Sequence, residues 1–342
     1  MTCLTLHQNK NMSVKIKFNL LLVLFLLVFI SCQGEENYSV RFENYGALPD
    51  NHLFFKNESL KFSEYLTFNN WRNSQGGAIY GDILLNVLAC DEIEDGIDNA
   101  FMWDLKTGEK LASFNLGFEF EGTKYYKPHA NVVCFGVEKT EKSKFPLLYV
   151  GQTFGLLYGQ TDSKSSGIIV YELQENSGSY TPNVVQIIRP DITDDLLMQA
   201  MGPFIHNYVV DTGNKMLYSF NYEGESFWDA SMEILVISFK LPELSDGKEV
   251  VLTNEKIVDK FTIPMAYCMQ SMFYDNGFIY FMNGSHTDHK WIRSLNLKSQ
   301  KIESKIDFTV IGGEPQFCGY WNGRFLIYFA GNGATLFEIR KD

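Results

Sequence analysis

A chain of 342 residues, 45% of them apolar and 15% aromatic, has ample material for a large core, and its length fits either two ordinary domains or one all-β propeller. The formal charge of −12 becomes −15 without the first 31 residues, which carry three lysines and no acid. Such an acidic surface argues against nucleic acid as a partner, because phosphates need Lys and Arg to neutralise them.

The N-terminal segment predicts export. Leu20 to Ile30 is an unbroken apolar run that follows Lys15 and Lys17. This combination is typical of a secretory signal peptide, and the run is too short to cross a bilayer as a helix. Residues 1–31 are therefore predicted to be a signal peptide.

The end of this signal resembles the lipobox of bacterial lipoproteins. Phe29-Ile30-Ser31-Cys32 places a small residue before a cysteine, although Phe29 replaces the usual leucine. Glu35 and Glu36 also resemble the acidic surface-export signal of Bacteroidetes lipoproteins. The resemblance implies that Cys32 is lipidated and that the protein is an outer-membrane lipoprotein of the cell envelope, displayed on the surface. An ordinary cleaved signal with an incidental Cys32 is the alternative.

Two further N-terminal features follow in chain order. Residues 32–51 are polar and contain Gly34, Gly46 and Pro49, so they are predicted to be a tether. Leu60 to Phe68 alternates apolar and polar side chains, which indicates a strand. This strand has no neighbouring unit of its own.

The remaining sequence repeats groups of four short strand-like runs. The pattern is clearest in Tyr267 to Phe308, where Asp275-Asn276-Gly277 separates two aromatic-rich runs as a hairpin turn would. Four strands in a meander form one blade of a β-propeller. The other groups begin near Gln75, His129, Pro203 and Gln316.

The last group predicts how the ring closes. From Gln316 to Ile339 the chain supplies three strands, so Leu60 to Phe68 is expected to be the fourth. An unclosed blade would leave unpaired edges. The predicted fold is therefore all-β, a β-propeller of five counted blades in residues 52–342, with the ring closed by an N-terminal strand.

Three features together resemble the TolB-like β-propeller lipoproteins of Bacteroidetes. They are the lipobox, the blade pattern and the turn Trp103-Asp104-Leu105-Lys106-Thr107-Gly108. That family is usually described as six-bladed, so six blades remain the alternative to the five counted.

Polar residues near the starts of the inner strands predict a ligand site. Inner strands line the central channel of a propeller, so these side chains should converge although they are distant in sequence. The residues are Gln75, His129, Asn131, His206, Gln270, Glu314 and Gln316. Such a ring can bind a sugar, a peptide or an ion through hydrogen bonds. The alternative is that the groups satisfy one another and channel water.

Signals for catalysis are weak. Glycoside hydrolysis needs paired carboxylates, and of Asp91, Asp229 and Glu314 only Glu314 falls at an inner-strand start. No nucleophile elbow, phosphate loop or zinc-protease motif is present.

Metal and disulfide signals are also weak. His286-Thr287-Asp288-His289 and the acidic stretch from Asp91 to Asp98 are interpreted as solvated loops, so no metal site and no cofactor are predicted. Four cysteines show no C-x-x-C spacing and allow three disulfide pairings: Cys90, Cys134, Cys268 and Cys318. Each lies in or beside an apolar strand run, which favours buried free thiols.

The predicted function is a lipid-anchored module of the cell envelope that binds a glycan, a peptide or an envelope protein. The lipid anchor would hold it on the membrane. The alternative is a hydrolase or lyase that acts on a polysaccharide in the channel.

Overall fold

The computed structural model describes residues 41–45, 52–53, 60–68, 74–88, 98–120, 123–125, 130–152, 167–192, 207–221, 233–264, 269–284, 289–331 and 335–341. Apart from two short 3-10 turns at Leu244–Asp246 and Asn254–Lys256, the regular structure in these ranges is β-strand. Within the same ranges, no helix is long and apolar enough to span a membrane.

The described strands, numbered in chain order, are β1 Arg41–Asn44, β2 Leu60–Thr67, β3 Ser74–Tyr80, β4 Ile83–Leu88, β5 Ala100–Asp104, β6 Lys110–Phe114, β7 Phe118–Phe120, β8 Thr123–Tyr125, β9 Val133–Phe135, β10 Leu148–Gln152, β11 Gly167–Asn176, β12 Ser179–Asp191, β13 Asn207–Asp211, β14 Met216–Asn221, β15 Glu233–Lys240, β16 Glu249–Thr253, β17 Ile257–Pro264, β18 Met269–Asp275, β19 Phe278–Asn283, β20 Trp291–Asn296, β21 Lys301–Asp307, β22 Glu314–Trp321, β23 Arg324–Ala330 and β24 Thr335–Lys341.

Five sheets form the five blades of a β-propeller. Their strand orders, from the inside outwards, are β3-β4-β5-β6, β9-β10-β11-β12, β13-β14-β15-β17, β18-β19-β20-β21 and β22-β23-β24-β2. The inner strands β3, β9, β13, β18 and β22 contact one another in a closed ring. The predicted propeller is confirmed with five blades rather than six.

The predicted closure by an N-terminal strand is also confirmed. β2 pairs antiparallel with β24, so that Leu60 lies opposite Lys341 and Thr67 opposite Thr335. Phe62 on β2 is only 1% exposed, and its ring stacks on Phe337 at a centroid distance of 5.2 Å. The closing strand therefore contributes both an edge and a buried aromatic face.

Two edge strands were not expected from the sequence. β1, within the segment expected to be a tether, pairs antiparallel with β21, and its Glu43 lies 3.1 Å from Lys305. β16, from the connection between β15 and β17 of blade three, pairs in parallel with β12 of blade two. Pairing between distant segments decides these elements, and short strands carry little periodic signal of their own.

The hydrophobic core lies between the blades. One cluster joins blades two, three and four, a second joins blades one and two, and a third joins blades five and one around Trp103 and Trp321. Because both faces of a blade are covered, its second strand is largely apolar, and all six residues of β19, including Asn283, are buried.

Glycines on or beside the inner strands allow close contacts with neighbouring parts of the chain. A Cβ on Gly76 of β3 would lie 2.1 Å from the backbone oxygen of Ala130 in blade two. A Cβ on Gly136, after β9, would lie 2.5 Å from the Tyr149 ring. These contacts require glycine, since no other residue lacks a Cβ.

A buried histidine, which precedes the closing strand β2 in sequence, packs against blade four. His52 is 1% exposed, and its Nε2 lies 2.8 Å from Ser294 Oγ and 3.2 Å from Ser304 Oγ. Its ring packs edge-on against Phe278 and Tyr280. Burial lowers the pKa of His52 to about 4, so the imidazole is neutral in the folded protein at physiological pH.

Candidate functional site

The central channel has two ends that differ in chemistry. The five inner strands begin at one end of the channel, which we call the entry end. They finish at the other end, which we call the exit end. The entry mouth comprises Gln75, Asn131, Gln270, Glu314 and Gln316. The exit mouth comprises Tyr80, Phe135, Tyr274, Asp275 and Tyr320.

Two hydrogen bonds between blades organise the entry mouth. The Gln75 amide donates to Asn131 Oδ1 at 2.7 Å, which joins blades one and two. The Gln270 amide donates to Glu314 Oε1 at 2.8 Å, which joins blades four and five. The topology therefore brings together side chains that are 56 and 44 residues apart in sequence.

The entry mouth also holds a buried acceptor without a donor. Gln316 is 3% exposed, and among the described residues its side-chain oxygen receives no hydrogen bond. Asn207 at the start of β13 is fully buried, and its side-chain amide donates to the Met269 carbonyl at 3.3 Å. Its side-chain oxygen likewise receives no hydrogen bond among the described residues. A buried polar atom of this kind calls for a water or ligand group to satisfy it.

The backbone beside the entry mouth is strained. Ala130 has a φ of +47°, in the left-handed region that residues with a Cβ rarely adopt. It directly precedes Asn131, and its carbonyl is the group that packs against Gly76. Strain of this kind persists where surrounding packing imposes it and often accompanies binding sites.

Several predicted residues lie outside the described ranges. His129 and His206 of the predicted channel site are among them, as are Cys32, Asp91, Asp229 and the segment 285–288. His289 is described: it is exposed and stacks on Trp291 at 5.3 Å. Within the described part of the chain, no group of three His, Cys, Asp or Glu side chains could hold a metal ion.

The structure has a cavity at the exit end of the channel that was not predicted from the sequence. It has a volume of about 330 Å³ and is lined by segments of the inner strands of all five blades, or by the residues just after them. The lining residues are Gly77–Tyr80, Val133–Gly136, Val210, Thr212, Phe273–Asp275 and Phe317–Tyr320. The sequence did contain a signal for this end of the channel. The tight turns that end three of the inner strands come directly after, or one residue after, Tyr80, Asp275 and Tyr320.

Aromatic rings and one carboxylate define the chemistry of the exit mouth. Tyr80 is 40% exposed and Tyr320 is 39% exposed, and Tyr80 packs against Phe135 at 5.6 Å. Desolvation raises the pKa of Asp275 above its ordinary value. Burial, and after it the Asp275 charge, raises the pKa of Tyr320, and both residues line the exit-end cavity.

The carboxylates of the inner strands do not form an acid–base pair. On the five described inner strands they are Glu314 at the entry end and Asp211 and Asp275 at the exit end. Gln270, which donates a hydrogen bond to Glu314, lies five positions before Asp275 on β18, or roughly 16 Å along an extended strand. Asp211 is engaged by its own turn, where it accepts hydrogen bonds from the backbone of Gly213 and Asn214 at 2.8 and 2.9 Å.

The thiols near the channel are poor nucleophiles. Cys134 and Cys318 are free and buried, as predicted, while Cys90 and Cys268 lie outside the described residues. Burial raises the pKa of Cys134 to about 12 and raises that of Cys318 as well. Both groups are therefore protonated at physiological pH.

No family model matches the sequence, and no curated protein matches it. Solved structures with a similar fold include a glutaminyl cyclase from Myxococcus xanthus, at 11% identity and a TM-score of 0.43 over 82% of this chain and 96% of that one. An exo-β-1,3-galactanase from Clostridium thermocellum has 12% identity and a TM-score of 0.43, over 81% and 61% of the two chains. A DUF4623 family protein from Bacteroides eggerthii has 14% identity and a TM-score of 0.35, over 88% and 57%.

These similarities carry no argument about chemistry, because identities and scores are low. The strand pairing of the chain itself defines the protein as a five-bladed β-propeller. The function must be argued from the channel, since one fold hosts many unrelated activities.

Proposed function

We propose that this protein is a binding module whose entry mouth holds an uncharged polar ligand, such as a glycan or a peptide segment, without chemical turnover. The observation that carries the proposal is the buried Gln316 oxygen, which receives no hydrogen bond among the described residues. A hydroxyl or amide N–H of a ligand would satisfy it. An unsatisfied buried acceptor costs about 1–3 kcal/mol, so a ligand that donates to it gains that amount.

The neighbouring groups suit the same class of ligand. Gln75, Asn131 and Gln270 supply amide donors and acceptors, and Glu314 supplies the one carboxylate among the described entry-mouth residues. Amides recognise hydroxyl and peptide groups equally well, since they donate and accept at once. A ligand with several negative charges is disfavoured by Glu314 and by the net charge of −12.

The separation of the described inner-strand carboxylates supports binding without turnover. Retaining glycosidases hold their two carboxyl groups about 5 Å apart, and inverting enzymes about 6.5–9.5 Å apart. The roughly 16 Å of extended strand between Gln270, the hydrogen-bond partner of Glu314, and Asp275 exceeds both distances. On the described inner strands, therefore, no second carboxylate could act with Glu314 as acid and base.

The cellular setting of the proposal comes from the sequence. Its lipobox-like Ser31-Cys32 supports lipidation of Cys32 and an anchor in the outer membrane, as in the TolB-like propeller lipoproteins of Bacteroidetes that the sequence resembles. The propeller would then present its channel to ligands or envelope proteins near the membrane surface.

Binding and turnover are separated by one experiment. The purified domain, without residues 1–32, is incubated with a panel of polysaccharides and peptides, and both bound ligand and new reducing ends or unsaturated products are measured. We expect binding without product, weakened at least about fivefold by Gln316→Leu. Asp191→Asn, an exposed carboxylate at the end of β12, is the matched control and should bind as wild type. Product formation that disappears in Glu314→Gln would show that the protein is an enzyme.

The anchor is tested separately. Cys32→Ser should move the full chain from the membrane fraction to the soluble fraction. Unchanged membrane association of this variant would refute lipidation at Cys32 without bearing on the channel.

A further inference from the structure

The exit-end cavity differs in chemistry from the entry mouth. Its lining includes one carboxylate, Asp275, and no lysine, arginine or histidine. Aromatic side chains from blades one, two, four and five surround it. A volume of about 330 Å³ lies at the lower end of the range for small-molecule sites.

The carboxylate of Asp275 has no cationic partner in the described part of the chain. The neighbouring Asn276 amide donates a hydrogen bond to Asp275 Oδ2 at 3.1 Å. The group is partly desolvated, and desolvation raises its pKa. A cation beside it would reverse this destabilisation of the charged form.

The two rim tyrosines offer further surface for a ligand. Tyr320, on blade five, lies close enough to Asp275 for that charge to raise the pKa of its phenol. Tyr80, on blade one, is supported from behind by Phe135 at 5.6 Å and Phe145 at 5.8 Å. Aromatic faces attract ammonium groups through the ring quadrupole.

We propose that the exit mouth binds a small organic cation, an amine or quaternary ammonium compound, between the Asp275 carboxylate and the rings of Tyr320 and Tyr80. This inference is independent of the entry mouth, which lies at the opposite end of the channel. An anion would be repelled by Asp275, and a neutral apolar ligand would leave that carboxylate desolvated and uncompensated.

The test uses choline as the probe, titrated into the purified domain and followed by NMR line broadening or calorimetry. The comparison ligand is the uncharged alcohol of the same shape, in which carbon replaces the ammonium nitrogen. We expect choline to bind at least about tenfold more tightly than the alcohol, and Asp275→Asn to reduce choline affinity about tenfold.

Three variants separate the roles of the groups. Tyr320→Leu should reduce choline affinity about fivefold, whereas Tyr320→Phe should retain it, because the ring face is what the cation contacts. Asp191→Asn removes an exposed carboxylate remote from the channel ends of β18 and β22 and should leave choline affinity unchanged. Melting temperatures of all variants establish that each is folded.

Three results would overturn the proposal. One is equal affinity for choline and the neutral alcohol, which would indicate a merely apolar pocket. Another is unchanged choline affinity in folded Asp275→Asn. The third is absence of choline binding up to about 10 mM. None of these results bears on glycan or peptide binding at the entry mouth, so failure here is distinguishable from failure of the proposed function.

Discussion

Acidification should destabilise this propeller through His52. The imidazole is 1% exposed, hydrogen-bonded to Ser294 and packed against Phe278, and burial lowers its pKa from 6.5 to about 4. The unfolded chain therefore binds a proton more readily than the folded one between these two values. Stability from the neutral imidazole is complete above pH 6.5 and is lost as pH falls towards 4.

The magnitude follows from the shift. Each pKa unit corresponds to about 1.4 kcal/mol, so the full loss is about 3 kcal/mol, of which about 2.5 kcal/mol is reached by about pH 4.5. That is a large part of a typical free energy of unfolding, about 5–15 kcal/mol.

The assay is urea unfolding of wild type and His52→Gln at about pH 7.5 and about pH 4.5. Glutamine keeps a side chain that can hydrogen-bond Ser294 but does not titrate. Carboxylates contribute equally to both proteins, so the difference between the two unfolding free energies reports the imidazole. We expect this difference to shrink by about 2.5 kcal/mol on acidification.

A control variant tests whether any destabilising core substitution would change the pH dependence in the same way. Phe62→Ala removes a buried ring from blade five without removing an imidazole, so its deficit relative to wild type should be the same at both pH values. A difference between wild type and His52→Gln that stays constant with pH would refute the reasoning.

Four further substitutions test stability. Phe62→Ala should cost about 3–5 kcal/mol by urea unfolding, because it empties the space between Phe337 and Phe308, and a cost below about 1 kcal/mol would contradict closure by β2. Tyr208→Phe should be neutral or stabilising, because its buried hydroxyl has no partner among the described residues. Tyr171→Phe, which loses a 2.7 Å hydrogen bond to a backbone carbonyl, should cost about 1 kcal/mol. If Tyr208→Phe and Tyr171→Phe lowered the melting temperature equally, the difference in hydrogen bonding between the two hydroxyls would be refuted. Gly76→Ala should cost about 2 kcal/mol or more, since its Cβ would lie 2.1 Å from a backbone oxygen of blade two; a wild-type melting temperature would rule out that close contact.

The ring of blades was largely predictable because its signals are local. Turns such as Asp275-Asn276-Gly277 and the apolar strands beside them are encoded within a few residues, and β18 and β19 form the predicted hairpin. Closure by β2 was also predictable. The last blade has three strands from the C-terminal part of the chain, and the alternating N-terminal strand had no other blade to join, so pairing the two leaves no unpaired edge. Convergence of Gln270 and Glu314 followed once the inner strands were identified.

The remaining features were decided by tertiary structure. β1 and β16 are short strands that exist because β21 and β12 offer free edges, and an edge created by another part of the chain leaves no trace in the local pattern. The same holds for the exit mouth: Tyr80, Asp275 and Tyr320 look like ordinary residues before tight turns, and only the arrangement of five inner strands around one axis places them at the rim of a shared cavity. The amino-acid sequence by itself determined the strands, their turns and the closure of the ring, because these depend on near neighbours. Tertiary structure decided which strand ends meet and which buried polar atoms of the described residues receive no hydrogen bond, because those properties depend on distances between residues far apart in the chain.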